Sequence, residues 1–275
     1  MTSEQKSENP GENSGGEDEA SDPRVAAALA RNDRYLHEFV EALQLCPWAK
    51  RCREIGRLSR HVILDPAAPI SIPTTSPVDV NVDVDVDVHG IGNVNERTQI
   101  THSPEFARAV ESAMVHVRAL GTKSATEVEV GLLIFPSLAP QFLDGLSGAR
   151  AFEQLCAAVR DAMAREYAAS QVPFYCVAFH PELGIDLADE NRAVRFIRRS
   201  PDPTLQLVRV SVLLEARGSE GDTRYIDASR MTPAELMAVR RPLSISEKIA
   251  QANWETLKRE GPERLRELLG EMARR

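Results

Sequence analysis

The chain has 275 residues, of which 43% are hydrophobic and 27% are charged, and these values are typical of a soluble protein long enough to bury a core. The net charge of −8 comes from two acidic stretches, residues 1–22 with −6 and residues 78–88 with −4, so the remaining residues together carry +2. This nearly neutral body gives no evidence for a nucleic-acid surface.

The compartment can be inferred from hydropathy and from cysteine usage. No run of the sequence approaches the ~18 apolar residues of a membrane span, and the N-terminus is acidic where a signal peptide is basic and then apolar. The four cysteines, Cys46, Cys52, Cys156 and Cys176, form no CxxC pair, which favours reduced thiols. We therefore expect a cytoplasmic protein that does not cross a membrane.

The first third of the chain contains a tail, two helices and a strand. Residues 1–22 are rich in Glu, Ser, Gly and Asn, and we predict that they form a disordered acidic tail. From Pro23 onward, apolar residues recur at helical spacing and predict one long amphipathic helix over 24–45. A short helical piece over 49–55 and a strand over 59–64 follow.

Residues 66–101 form a predicted low-complexity insertion that contains alternating Val and Asp over 78–88. The period of two is that of a strand with one acidic face. The run lacks the glycine turn and the terminal glutamate of a calcium loop, so no metal site is predicted there.

The central part of the chain alternates between the apolar spacing of a helix and the apolar runs of a strand. Ser103-Pro104-Glu105 begins a helix that ends at Gly121, and a second helix is predicted over 151–167. The apolar runs 128–135 and 174–179 predict strands. This alternation predicts the fold class: α/β, a single compact domain with a small mixed sheet of three or four strands covered by helices and a helical C-terminus.

The stretch after Arg199 has two interpretations. Ser200 resembles an N-cap with Pro201 and Asp202 in the first turn, which favours a helix that carries the apolar residues of 205–214. The same continuous apolar run is also compatible with a strand. Farther on, Ser244 opens a helix to about residue 259, and residues 261–275 form a C-terminal helix.

Five short motifs support a family resemblance. In chain order they are Leu45-Cys46-Pro47-Trp48-Ala49, Phe135-Pro136, Phe179-His180-Pro181, Arg199-Ser200-Pro201 with Pro203, and Asn253-Trp254-Glu255-Thr256-Leu257. By the order and spacing of these motifs, the chain resembles an uncharacterised bacterial family, the domain of unknown function DUF1415. The resemblance implies a DUF1415-like α/β domain over residues 23–260 and implies no reaction. Trp48 stands where the family more often has Phe, and Arg198 where Asn is usual.

Three of these motifs contain the candidate catalytic residues and their neighbours. His180 follows a predicted buried strand, and it is a candidate general acid or base; the alternative is a hydrogen-bonded structural histidine. Cys46 at a helix end is a candidate nucleophile if His180 lies within reach; the alternative is a small buried hydrophobe beside Trp48. A metal site made of Cys46, Cys52 and His180 matches no standard zinc spacing, so no metal is predicted.

The predicted substrate-binding residues are Arg198, Arg199, Ser200 and Trp48. A helix that begins at Ser200 would offer free N–H groups beside two arginines, which suits a phosphate or a carboxylate. The alternative is a structural cap whose arginines pair with nearby acids. Trp48 would form part of the pocket wall.

Two functional hypotheses follow from these residues. The first is an enzyme that acts on a small anionic substrate, either phosphate- or carboxylate-bearing, through the Cys/His/Arg-Ser site. The second is a non-catalytic module that binds a ligand or a partner. The sequence has no P-loop and no GxGxxG after a strand, so it identifies no cofactor, and it leaves the oligomeric state open.

Overall fold

The computed structural model describes residues 22–46, 48–65, 104–138, 148–183, 193, 197–219 and 245–274. The predictions of a disordered tail and of a Val/Asp strand in the insertion therefore lie outside the described residues. The described part contains seven α-helices, one π-helix and four strands.

The helices have the following bounds: α1 Pro23–Arg34, the π-helix Tyr35–Glu41, α2 Ala49–Glu54, α3 Pro104–Gly121, α4 Gly148–Glu166, α5 Val210–Ser219, α6 Ile245–Glu260 and α7 Pro262–Arg274. The predicted start of α1 is confirmed, because the Asp22 carboxylate accepts a hydrogen bond from the Arg24 N–H at 2.8 Å and Pro23 occupies the first turn. The sequence pattern did not reveal that the helix changes to π geometry at Tyr35.

The strands are β1 Leu58–Val62, β2 Val130–Ile134, β3 Phe174–Phe179 and β4 Thr204–Arg209. They form one sheet in the order β1-β2-β4-β3, in which β1 and β2 are parallel and the other two pairs are antiparallel. The predicted α/β class with a mixed sheet of four strands and a helical C-terminus is confirmed. β4 is central in this sheet although it comes last in the sequence.

The period of two along each strand divides the core into two layers. On one face, Leu205 and Leu207 of β4 and Leu133 of β2 pack against α3 and α4 in a core that also contains Phe106, Met114, Phe152, Leu155, Val159, Phe174 and Cys176. On the other face, Leu132 and Ile134 of β2 pack with residues of α1, the π-helix, α6 and α7, including Ala28, Leu36, Phe39, Val40, Leu257, Leu265 and Leu269. Each helix layer therefore covers one face of the sheet.

The prediction of a helix that begins at Ser200 is wrong. Residues 204–209 form β4, which pairs with β2 through Gln206 opposite Leu132 and with β3 through Gln206 opposite Val177, and the helix begins only at Val210. Two strands that hydrogen-bond on both sides of this segment outweigh the local helix-start signal. The alternative interpretation as a strand is correct for residues 204–209.

Candidate functional site

A cavity of about 230 Å³ lies on the sheet face that α1 and the π-helix cover. Its wall combines the helical segment from Asn32 to Val40, the segment from Leu45 to Cys52, the inner positions of the strands, and residues of α5 and α6. The cavity is therefore lined by elements from both the N-terminal and the C-terminal parts of the described chain.

One row of residues on α1 and the π-helix forms the helical side of this cavity. Ala28, Asn32, Leu36 and Val40 follow each other at intervals of four, so their side chains lie on one face, and the last three line the cavity. Asn32 is the polar member of this apolar row. It is 3% exposed, and its Oδ1 has no hydrogen-bond partner among the described residues.

The sheet side of the cavity consists of alternate residues. Thr204, Gln206 and Val208 of β4 line it, as do Val130 and Leu132 of β2, while the residues between them face α3 and α4. Gln206 thus lies in the middle of the central strand with its side chain on the cavity face. Asn253 of α6, which is 6% exposed, adds a third carboxamide to the wall beside Asn32 and Gln206.

The buried acid of the wall, Glu129, is compensated by two arginines. Its Oε1 accepts a hydrogen bond from Arg57 Nη1 at 2.5 Å, and its Oε2 accepts one from Arg51 Nη1 at 3.1 Å. The Glu129 backbone also bonds to Arg57 and to Arg209, which fixes the residue beside β2. The negative charge of Glu129 is therefore matched within the protein.

Cys46 and Trp48 both line the cavity, where the chain turns from the π-helix into α2. Burial raises the pKa of the Cys46 thiol, and the opposing effect of the Trp48 and Ala49 backbone N–H groups is smaller. Burial likewise raises the pKa of Cys52 to about 11, with a further contribution from Glu129. At neutral pH both cysteines in the wall are thiols, which are weak nucleophiles.

Tyr35 is also part of this wall. It is 5% exposed, and its ring stacks on Phe39 with the centroids 5.6 Å apart and the planes at 22°. Burial, together with the nearby Cys46, raises the pKa of the Tyr35 phenol, which keeps the hydroxyl protonated. Tyr35 therefore offers the cavity an apolar ring and a neutral hydroxyl group.

His180 does not line the cavity. It continues the alternation of Cys176 and Ala178 and lies beside α4, with its ring centroid 5.7 Å from that of Phe152. Its Nδ1 accepts a hydrogen bond from the Glu182 N–H at 3.1 Å. Burial lowers the pKa of His180, and the charge of Glu182 opposes this shift to a smaller extent.

His180 and Glu182 lie close to Gly148 at the start of α4. Gly148 has φ of +44°, and a Cβ on it would lie 1.9 Å from Glu182 Oε2 and 3.5 Å from His180 Cε1. A side chain at position 148 would therefore collide with the Glu182 carboxylate. The residues that follow β3 thus pack against the first turn of α4.

The Arg199-Ser200-Pro201 motif forms a loop before β4. Ser200 Oγ donates a hydrogen bond to the Asp202 carbonyl oxygen at 2.6 Å, and Thr204 Oγ1 donates to the same oxygen at 2.9 Å. The Asp202 carboxylate accepts two hydrogen bonds from Arg31 of α1, both at 2.9 Å. These bonds attach the loop to α1, and Ser200 begins no helix in the structure.

The two arginines of the motif have different surroundings. Arg199 Nε donates to the Leu183 carbonyl oxygen at 2.9 Å, and burial, more than the neighbouring Arg266, lowers the pKa of Arg199. Arg199 is not part of the cavity wall, whereas Arg198 is.

Arg198 also acts on the opposite face of the sheet, where Cys156 lies. A hydrogen bond with Cys176 lowers the pKa of Cys156, and the positive charges of Arg160 and Arg198 lower it further.

The structure thus brings together four of the six predicted site residues, Cys46, Trp48, Arg198 and Ser200, and places His180 and Arg199 elsewhere. The sequence interpretation did not select Asn32, Gln206 or Asn253. Asn32 has a detectable signal, because it interrupts an apolar row at intervals of four. Gln206 lies between two leucines and becomes visible as an inward polar residue only when the segment is interpreted as a strand.

The described ranges contain neither a cluster of metal ligands nor a helix suited to a membrane. Within those ranges, no group of three or more His, Cys, Asp and Glu side chains is arranged to hold a metal ion. Likewise, none of the helices in the described part of the chain combines the length and apolarity that a bilayer crossing requires.

The family model with the description "Protein of unknown function (DUF1415)" matches residues 92–241, which is more than half of the chain. The chain belongs to the DUF1415 family. This confirms the resemblance inferred from the motifs. No curated protein and no solved structure matches the chain.

The DUF1415 match divides the cavity wall into two parts. The matched range includes β2, β3 and β4, which form the sheet side of the cavity, together with the Phe135, His180 and Ser200 motifs. The helical side, formed by α1, the π-helix and α2, lies outside the matched range. The Cys46 and Trp254 motifs lie outside it as well.

Proposed function

We propose that this DUF1415 protein binds a small, mostly apolar molecule in the cavity between the sheet and the α1/π-helix layer. The observation that carries the proposal is the cavity itself, with a volume of about 230 Å³. An apolar cavity of about 150 Å³ holds benzene, and drug-sized ligands occupy roughly 300 to 1,000 Å³. The volume therefore suits a molecule of about two fused rings.

The composition of the wall supports an apolar ligand. Aliphatic residues from every layer and three aromatic residues, Tyr35, Trp48 and Phe179, line the cavity. A few polar groups among them would orient the ligand, which is the usual arrangement in small-molecule sites. Because the cavity is already formed between packed elements, little conformational free energy would be spent on binding.

The proposal follows the second of the two sequence hypotheses, a non-catalytic binding module. The anion site was predicted from a helix start at Ser200, and that helix is absent from the described residues. Cys46 lies in the wall as a protonated thiol, and His180 lies on the other face of the sheet. The catalytic roles of Cys46 and His180 stay predictions.

The proposal can be tested with 1-benzothiophene, an apolar bicyclic probe, by isothermal titration calorimetry on the full chain. The wild-type chain is expected to bind it with a micromolar to millimolar dissociation constant. Val208→Phe adds a ring on the cavity face of β4 and should weaken binding at least tenfold. Ala164→Phe places the same ring on an exposed position of α4 and should leave binding unchanged. Absence of heat with the wild type, or equal affinity in both variants, would contradict the proposal.

A further inference from the structure

We infer that the ligand of this cavity is an uncharged ring compound with an N–H or O–H group that donates a hydrogen bond to Asn32 Oδ1. This inference rests on the proposed function and specifies the chemical class of the ligand. It assigns to Asn32 the role of the residue that selects a hydrogen-bond donor.

The first argument is that the Asn32 oxygen lacks a partner. Asn32 is 3% exposed, and its Oδ1 is shielded from water and accepts no hydrogen bond from the described residues. Most buried carboxamide oxygens in proteins are paired, because an unpaired one loses its hydration without compensation. A donor on a bound molecule would supply the missing bond.

The second argument is the position of Asn32 in the wall. Asn32 lies in the row formed by Ala28, Leu36 and Val40, which faces the sheet, and it lines the cavity together with Tyr35 and Leu36 in the next turn. The side chain therefore borders the space in which a ligand would lie. The inference requires that the Asn32 carboxamide rotate about its terminal torsion so that the oxygen faces a ligand at this wall.

The third argument concerns the other polar groups. Gln206 in the centre of β4 and Asn253 of α6 also line the cavity, so three elements each contribute one neutral carboxamide. Carboxamides offer both donors and acceptors, and they recognise neutral groups with a mixed hydrogen-bond pattern. This set suits a polar edge on an otherwise apolar ring.

The charged residues of the wall are Glu129 and Arg198, and Glu129 gives the fourth argument. Glu129 is the acid of this wall, and its carboxylate accepts hydrogen bonds from Arg51 and Arg57. A cationic ligand would have to compete with both arginines for this carboxylate. Asn32 carries no charge that would compensate a buried cation, so a neutral donor group is its appropriate partner.

The experiment compares indole with 1-benzothiophene, two bicyclic molecules of similar shape of which only indole has an N–H donor. We expect the wild-type chain to bind indole roughly tenfold more tightly, the ratio that one buried hydrogen bond typically gives. Asn32→Leu keeps the size of the side chain and removes the oxygen. In this variant the preference for indole should disappear while 1-benzothiophene still binds.

The outcomes separate this inference from the proposed function. If the wild type binds both probes equally, or if Asn32→Leu retains the preference for indole, the inference is overturned and the cavity remains a ligand site. If neither probe binds the wild type, the proposed function fails and the inference fails with it. The comparison of the two probes needs only the wild-type chain, so equal binding of both probes overturns the inference even if Asn32→Leu does not fold.

Discussion

Two buried polar residues on opposite faces of the four-stranded sheet, Arg209 and Asn32, differ in whether their polar atoms find hydrogen-bond partners. On the α3/α4 face, Arg209 of β4 is only 8% exposed, and its guanidinium donates to the Val128 carbonyl oxygen at 2.7 Å and to the Leu120 carbonyl oxygen at 3.0 Å. The same group lies 4.8 Å from the centroid of the Phe174 ring. On the α1/π-helix face, Asn32 is buried to a similar degree with its oxygen unpaired.

The two faces also differ in how tightly they are packed. On the α3/α4 face, Gly131 of β2 lets α3 approach so closely that a Cβ on this residue would lie 2.7 Å from Leu120 Cδ1. On the α1/π-helix face, a cavity of about 230 Å³ remains between the helices and β2 and β4. The comparison agrees with the proposal that the cavity on the α1/π-helix face holds a ligand, whereas the α3/α4 face is tightly packed.

The largest expected effect is a loss of stability on the α3/α4 face. Phe152 is fully buried and contacts Phe135 edge-on, with the centroids 5.6 Å apart. Phe152→Ala should lower the free energy of unfolding by about 3 to 5 kcal/mol, because it leaves a cavity in a tightly packed layer. Phe179→Ala removes the same ring from the cavity wall and should cost less. Urea denaturation measures the free energy of unfolding of both variants. Equal losses of stability in the two variants would refute the distinction between the faces.

A second pair of variants tests the buried polar groups. Arg209→Met should lower the free energy of unfolding by about 2 kcal/mol, because the Val128 and Leu120 carbonyl oxygens each lose one buried donor. Asn32→Leu should raise the free energy of unfolding of the ligand-free chain by about 1 kcal/mol, because it removes an unpaired oxygen. Changes of opposite sign in the free energy of unfolding of the two variants, measured by thermal or urea unfolding, would support the comparison of the two faces. A destabilised Asn32→Leu variant would show that the oxygen is already paired in the free protein.

The smallest expected effect is a pH dependence from His180. Its pKa in the folded chain is below the ordinary value of 6.5, so the unfolded chain binds a proton more readily than the folded chain. Stability should therefore fall as the pH is lowered through about 6.5 toward the folded pKa. His180→Gln should lessen this loss between pH 7.5 and pH 5.5 in urea titrations. Some loss should remain, because burial also lowers the pKa values of His61 and His116.

Much of the fold could be predicted from local patterns. The helix Pro104–Gly121 and the strands Val130–Ile134 and Phe174–Phe179 have one clear periodicity each, and their bounds agree with the sequence to within two residues. β4 was predicted only as the alternative to a helix, because Ser200-Pro201-Asp202 has the residues of a helix start. Its conformation depends on pairing with β2 and β3, which are distant in sequence.

The candidate site was less accessible to sequence analysis. His180, Arg199 and Ser200 were selected as site residues because of their polar side chains. In the structure each of these side chains makes a hydrogen bond to a backbone group. Asn32 and Gln206 have unremarkable side chains. Their interest arises from the face on which they lie, and this face is defined only after the strand order and the helix packing are known.

The most direct test of the account is an NMR titration of the isotope-labelled full chain with indole. We predict that amide signals around the cavity, such as those of Leu36, Val130 and Gln206, shift in a saturable manner. Signals in the α3/α4 layer, such as those of Val117 and Val159, should remain in place. Saturable shifts confined to the α3/α4 layer, or no shifts at all, would contradict the claim that the α1/π-helix face is a ligand site.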